Sequence, residues 1–123
     1  MFITNLMDLD IQPIAGTDLW KLQTEVTYYS ELLNRIMTIP AGYITDLASI
    51  PKIAHSFMNP SSHEIRVAAI LHDYIYEKLV FMFTKREADL ILREAMGVVT
   101  NPAPLWKIYI VYLAVRIGGK GNW

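Results

Sequence analysis

Two short stretches hold the residues whose types and spacing could do chemistry. In the first, Tyr43 to Pro51 (Y-I-T-D-L-A-S-I-P), Asp46 stands near two hydroxyl residues, Thr45 and Ser49, between turn-forming positions. In the second, Leu71 to Tyr76 (L-H-D-Y-I-Y), His72 and Asp73 are adjacent in an otherwise apolar run. Ionisable groups rarely sit in apolar surroundings without a partner or a task. The two stretches are therefore expected to meet in the fold and form one polar site. On a helix, His72 and Asp73 point about 100° apart, so both can border one cavity without touching. His72 can bind a metal as neutral imidazole or exchange a proton near neutral pH. Asp73, with Asp46 from the preceding loop and Asp89 from a later helix, supplies carboxylates. Such a set suits Mn²⁺, Mg²⁺ or Zn²⁺, and an ion held there would activate water for hydrolysis. In this reading His72, Asp73 and Asp46 are catalytic, and Asp46, His72, Asp73 and Asp89 are the metal ligands. Thr45, Ser49, Tyr76 and Arg116 support them from a second layer.

A structural account of the same residues competes with it. His72 lies on an apolar helical stripe, where a lone histidine is commonly a hydrogen-bonded core residue. Asp46 can cap the turn before Pro51. Asp89 can be a solvated flank paired with Arg86 or Arg93 at helical spacing. Arg116, one turn past Tyr112, can reach Asp46 or Asp73 in a salt bridge that needs no catalysis. His55 and His63 sit among polar or turn residues and read as exposed.

The elements that must position these groups fall into an α+β pattern. Residues 1–17 read as a short strand or irregular arm. Residues 18–30 alternate: Trp20, Leu22, Thr24, Val26 and Tyr28 form the apolar parity of a half-buried strand. After a turn at 30–34, residues 35–40 return as its partner, with Ile36 and Ile39 as the apolar side chains, until Pro40 and Gly42 break it. From Ser61 the periodicity becomes helical. S-S-H-E (61–64) and T-K-R-E (84–87) are capping boxes. The first helix runs to about Lys78 with Ile65, Ala68, Ala69, His72, Tyr76 and Leu79 on one face. The second buries Ala88, Ile91, Leu92 and Ala95 and stops near Gly97. The third, about 102–117, opens at Asn101-Pro102, is apolar on most sides and ends at Gly118-Gly119. Trp106, Tyr109 and Tyr112 read as core or helix-contact residues. The expectation is a single domain over 1–123. An N-terminal antiparallel hairpin or small sheet packs on a C-terminal three-helix bundle (61–119), with a hinge at Asn59-Pro60-Ser61.

Composition narrows the function. The chain has 123 residues, net charge −1 and no cysteine, so thiolate metal sites, disulfides and a cysteine nucleophile are excluded. Basic residues are scattered rather than clustered, which argues against a nucleic-acid partner. Hydrophobic residues make up 53% of the chain, which points to a tight helical core or to an apolar surface for a partner. The longest apolar run, Ile108 to Val115, is eight residues, far short of the ~20 that span a bilayer. With no signal-peptide pattern, the expected location is cytoplasmic. No P-loop, G-x-G-x-x-G, G-x-S-x-G or H-E-x-x-H is present.

Four blocks together carry a family resemblance: I-P-A-G-Y-I-T-D-L-A-S-I-P (39–51), A-A-I-L-H-D-Y-I-Y (68–76), K-R-E-A-D-L-I-L-R-E-A-M (85–96) and Y-L-A-V-R-I-G-G (112–119). In order and spacing the chain resembles the DUF1353 family over roughly residues 18–123. The family's marked positions are filled here by Asp46, Ser49, Pro51, His72, Asp73, Tyr76, Asp89, Met96, Tyr112, Arg116 and Gly118. The resemblance implies a bacteriophage or prophage protein acting in the host cytoplasm or the virion. It implies no reaction. Two functions stay open: a small metal-dependent hydrolase, or a non-enzymatic phage protein. In the second, the Asp/His/Arg cluster is structural, and an apolar surface meets a virion or host protein or a second copy.

Overall fold

The structure is a computed structural model that describes residues 1–57, 63–100 and 102–119, with the side chains of residues 63 and 64 excepted. The expected capping box at 61–64, the hinge at 59–61 and the Asn101 cap lie outside the described residues. Antiparallel strands occupy the N-terminal half and three long helices the C-terminal half, an α+β architecture.

The alternating segment 18–30 is not one strand. It divides into β2 (Trp20–Leu22) and β3 (Val26–Ser30), which belong to different sheets. The buried parity survives the break: Leu22, Val26 and Tyr28 are all buried, so the apolar pattern is blind to where pairing changes partner. β3 pairs with β4 (Arg35–Ile39) from Val26↔Ile39 to Ser30↔Arg35, the expected hairpin. Its inward residues are Met37 and Ile39; Ile36 faces solvent, against expectation, because side chains alternate across a strand. β2 is the centre of a second sheet, between β1 (Ile11–Pro13) from the N-terminal arm and β5 (Ile44–Thr45). β5 is the unexpected element. The register Trp20↔Thr45 and the bond from Leu22 N–H to Tyr43 O (2.9 Å) fix the start of the polar loop on the sheet.

A one-turn helix, α1 (Lys52–His55), follows the loop. The long helix α2 (His63–Lys78) is buried well beyond the expected stripe: Val67, Ile70, Leu71, Asp73 and Ile75 are also inside. It is a central helix with neighbours on several faces. α3 (Lys85–Gly97) begins with the expected capping box, Thr84 accepting from Glu87 N–H (3.1 Å) and Glu87 accepting from Thr84 N–H (2.9 Å). Its buried face is Ala88, Ile91, Leu92 and Ala95 with Asp89 and Met96. The hairpin is tied to α3 by Glu94, which accepts from Tyr28 Oη (2.6 Å) and Leu32 N–H (2.9 Å). α4 (Leu105–Gly118) starts three residues later than expected: Pro102 and Pro104 flank a non-helical stretch, and proline disfavours helix in the residue before it. α4 buries Ile108, Val111 and Val115, whereas Trp106 and Tyr109, expected as core or helix-contact residues, face outward. Gly119 closes this helix against the polar loop. A Cβ there would lie 2.5 Å from Val115 O, 2.7 Å from Tyr76 Oη and 3.3 Å from Ser49 O, so only glycine permits the approach.

Candidate functional site

The loop between β5 and α1 is built by consuming its own donors. Leu47 N–H donates to Thr45 Oγ1 (3.0 Å), Ala48 N–H to Asp46 Oδ1 (2.9 Å), Ser49 N–H to Asp73 Oδ1 (3.0 Å) and Ile50 N–H to Leu47 O (3.2 Å). Two of the polar letters of T-D-L-A-S, Thr45 and Asp46, thus accept from backbone groups of their own turn, while the Ser49 side chain turns to His72. The bonds also hold Leu47 in the left-handed region at φ 61°, a conformation that costs a bulky L-residue about 1–2 kcal/mol.

Behind the loop lies the buried polar cluster. Asp73 accepts from Ser49 N–H, from the Tyr43 hydroxyl (3.2 Å) and from the Thr45 hydroxyl. Thr45 is a relay, donating to Asp73 and accepting from Leu47 N–H. His72, fully buried, sits with Nδ1 3.1 Å from Ser49 Oγ and Nε2 2.7 Å from Asp89 Oδ1. Asp89 also accepts from Tyr76 Oη on Oδ1, and from Lys85 Nζ (3.0 Å) and Arg116 Nη1 (2.9 Å) on Oδ2. Lys85 further caps α4, donating to Val115 O (2.8 Å) and Arg116 O (3.3 Å) at the negative end of that helix.

The charges follow from these contacts. Burial pushes the His72 imidazole below its usual range, against the opposing pull of Asp89 and Asp73, so His72 is neutral. Burial alone would raise the Asp89 carboxyl, but the hydrogen bonds from His72 and Tyr76, with Lys85 behind them, outweigh it and hold it below the ordinary carboxylate range. An ionised Asp89 can only accept, so the His72 proton is on Nε2 and Nδ1 accepts from Ser49. Burial pushes the Tyr43 and Tyr76 hydroxyls up, and each carboxylate neighbour adds to it. They remain donors. Glu77, one turn past Asp73, is also raised, by burial first and then by Asp73. Helical spacing from Asp73 was the signal that could have flagged it.

The structure therefore joins His72, Asp73, Asp89, Thr45, Ser49, Tyr76 and Arg116, as expected of neighbours. It leaves Asp46 outside. Asp46 is exposed, caps Ala48, and lines the far side of the loop. Two other expectations change with it. Arg116 pairs with Asp89 rather than with Asp46 or Asp73. Asp89 is buried and pairs with Lys85 and Arg116, not with Arg86 or Arg93 on a solvated flank. Two features of the fold account for all three. Helix α3 turns Asp89 inward beside α4, whereas the tight turn at Leu47 turns Asp46 outward.

Chemically, this donor set does not fit a divalent ion. Both His72 nitrogens, both Asp73 oxygens and both Asp89 oxygens are already bonded to protein groups, and Asp46 is on the other side of the loop. Among the described residues, no three of His, Asp or Glu converge on a point that could hold a metal. Ser49, His72 and Asp89 have the proton order of a hydrolytic triad. Ser49 is only 5% exposed, however, and Lys85 and Arg116 neutralise the carboxylate that would have to make His72 basic. The outer face of the loop is open instead. It walls a cleft of about 460 Å³ with Asp18, Asp46, Leu47, Ala48, Ile50, Pro51, Lys52 and His55, within the size of small-ligand or peptide-side-chain pockets. His55, expected exposed, is half-buried, its Nε2 donating to Ile50 O at 3.2 Å.

A protein-family model described as "Protein of unknown function (DUF1353)" matches residues 20–115. That covers most of the chain, and the chain belongs to this family. No curated protein and no solved structure matches it. Among the described residues, no helix is long and apolar enough to cross a membrane.

Proposed function

We propose that this DUF1353 protein is a non-enzymatic phage protein, a virion assembly component or a factor that binds a host protein. In it the buried Asp/His/Arg cluster serves to hold the 43–51 loop in one shape. The observation that carries this reading is the saturation of the cluster. Each acceptor on Asp73, His72 and Asp89 is met by a loop, helix or lysine/arginine donor, and no described buried side-chain polar atom is left without a partner. Saturation together with burial, Ser49 and His72 being 5% and 0% exposed, favours groups that order the backbone they bind. The partner surface is the outer side of that loop. There Leu47, Ile50 and Pro51 give an apolar floor, Asp18, Asp46 and Lys52 a charged rim, and the exposed Ile53 stands on the adjoining turn.

The test separates this reading from a metal-dependent hydrolase. The purified protein is melted with EDTA and with added Mn²⁺, Mg²⁺ or Zn²⁺, alongside His72→Gln. A native-state ligand at 100 times its Kd stabilises by about 2.7 kcal/mol. The expected result is a melting temperature indifferent to metal and chelator, with His72→Gln markedly less stable. A metal-dependent rise in wild-type melting temperature that is absent in His72→Gln overturns the proposal in favour of the hydrolase.

A further inference from the structure

We infer that the outward face of α4 is a two-fold interface with a second copy of this chain. At 100° per residue, Ile108, Val111 and Val115 define the face of α4 that enters the core. Trp106, Tyr109, Leu113 and Ile117 cluster roughly 170° away from it, and they are 59%, 51%, 43% and 87% exposed. Leu105, 83% exposed, adjoins them. A soluble helix normally turns polar residues to this side. Here α4 carries only two charged residues: Arg116 turns to Asp89, and the Lys107 ammonium lies at the edge of the stripe, 5.5 Å from the Trp106 ring centre.

The occupant follows from area and spacing. Trp106 and Tyr109, each about half exposed, offer roughly 200 Å² together at ~150–250 Å² per aromatic side chain, and the three aliphatic chains add roughly 60–120 Å² each. The patch of roughly 500 Å² is as large as the biggest on a typical monomer, and two such faces bury roughly 1,000 Å², the least a specific interface needs. The residues are also self-complementary. Two antiparallel copies related by an axis near Val111 set Trp106 against Ile117 of the second copy and Tyr109 against Leu113. Each large ring then meets a smaller aliphatic chain, in both directions at once, as an isologous interface requires. A lipid surface would instead ask for a cation-rich border to the apolar face, and α4 has only Lys107 free of an ion pair to supply it. This inference deepens the non-enzymatic reading but rests on a different face of the molecule from the loop, so either can fail alone.

The experiment is sedimentation equilibrium of the full chain over roughly 1–200 µM, a span that covers micromolar dissociation constants, for wild type, Leu113→Glu and Ile117→Lys. Ile117→Lys, at the exposed end of the stripe, keeps the test informative if Leu113→Glu compromises folding. Helicity is checked by circular dichroism. The expected result is a dimer whose dissociation constant rises at least 100-fold in both folded variants. A wild-type monomer throughout the range overturns the inference, and so does a dimer that either folded variant leaves intact. A monomer that binds anionic vesicles also overturns it and assigns the face to lipid.

Discussion

Asp73→Ala removes the side chain that makes most of the bonds between the loop and α2, leaving the Ser49–His72 bond. Three donors lose their acceptor: Ser49 N–H, the Tyr43 hydroxyl and the Thr45 hydroxyl. The hydroxyls can rotate toward other acceptors; the Ser49 N–H cannot, and stays buried. Leaving one buried donor unpaired costs about 1–3 kcal/mol, and hydrogen bonds to a charged group contribute about 1.5–3 kcal/mol each. Allowing for partial rescue, the loss should be about 3–5 kcal/mol, a large part of the ~5–15 kcal/mol that stabilises a small domain. Asp73→Asn keeps one carbonyl oxygen for Ser49 and offers its amide to hydroxyls that can accept, so about 1–2 kcal/mol is expected. Asp46→Ala loses only an exposed turn cap, and should cost under about 1 kcal/mol. Urea unfolding followed by circular dichroism reads all three. The expected order of destabilisation is Asp73→Ala first, then Asp73→Asn, then Asp46→Ala. If Asp73→Ala proves no more destabilising than Asp46→Ala, the claim that Asp73 organises the loop is wrong.

Acid should weaken the fold in two windows. His72 is held below its ordinary 6.5 and Asp89 below its ordinary 3.8, so for both the unfolded chain binds the proton first. Their stability is fully present above those values and is lost as pH falls, first below about pH 6.5 and then below about pH 4. His72→Gln should abolish the first window and narrow the second, since the His72 bond helps hold Asp89 low; urea titrations between about pH 2.5 and 8 cover both windows, and an unchanged slope above about pH 5 contradicts the buried neutral imidazole. Gly119→Ala should cost about 1–3 kcal/mol through overpacking against Val115 O and the Tyr76 hydroxyl. Gly97→Ala, at the end of α3 with open space around it, should gain up to about 1 kcal/mol; thermal melts that rank these two in the opposite order refute the packing account.

Local physics determined much of this protein before any coordinates. Period-2 alternation identified the β3–β4 hairpin, period-3.6 apolar spacing the three long helices, and the Thr84/Glu87 pair the start of α3. All of these rest on neighbours within a few residues. The presence of His72 and Asp73 in an apolar run marked a buried polar cluster, because burial without partners is too costly to occur by accident. The choice of partners was a different matter. That Thr45 and Ser49, rather than Asp46, meet the helices depends on β5 pairing with Trp20 and on the turn at Leu47, both set by contacts more than twenty residues away in sequence or by a single φ angle. Lys85, four residues before Asp89 on α3, is a local helical pair that the spacing alone could have indicated; that Arg116 reaches Asp89 depends on how α4 packs against α3. The sequence names which groups need satisfying; only the packing of distant segments decides which ones satisfy each other, and which, like Asp46 and the outer face of α4, are left facing out.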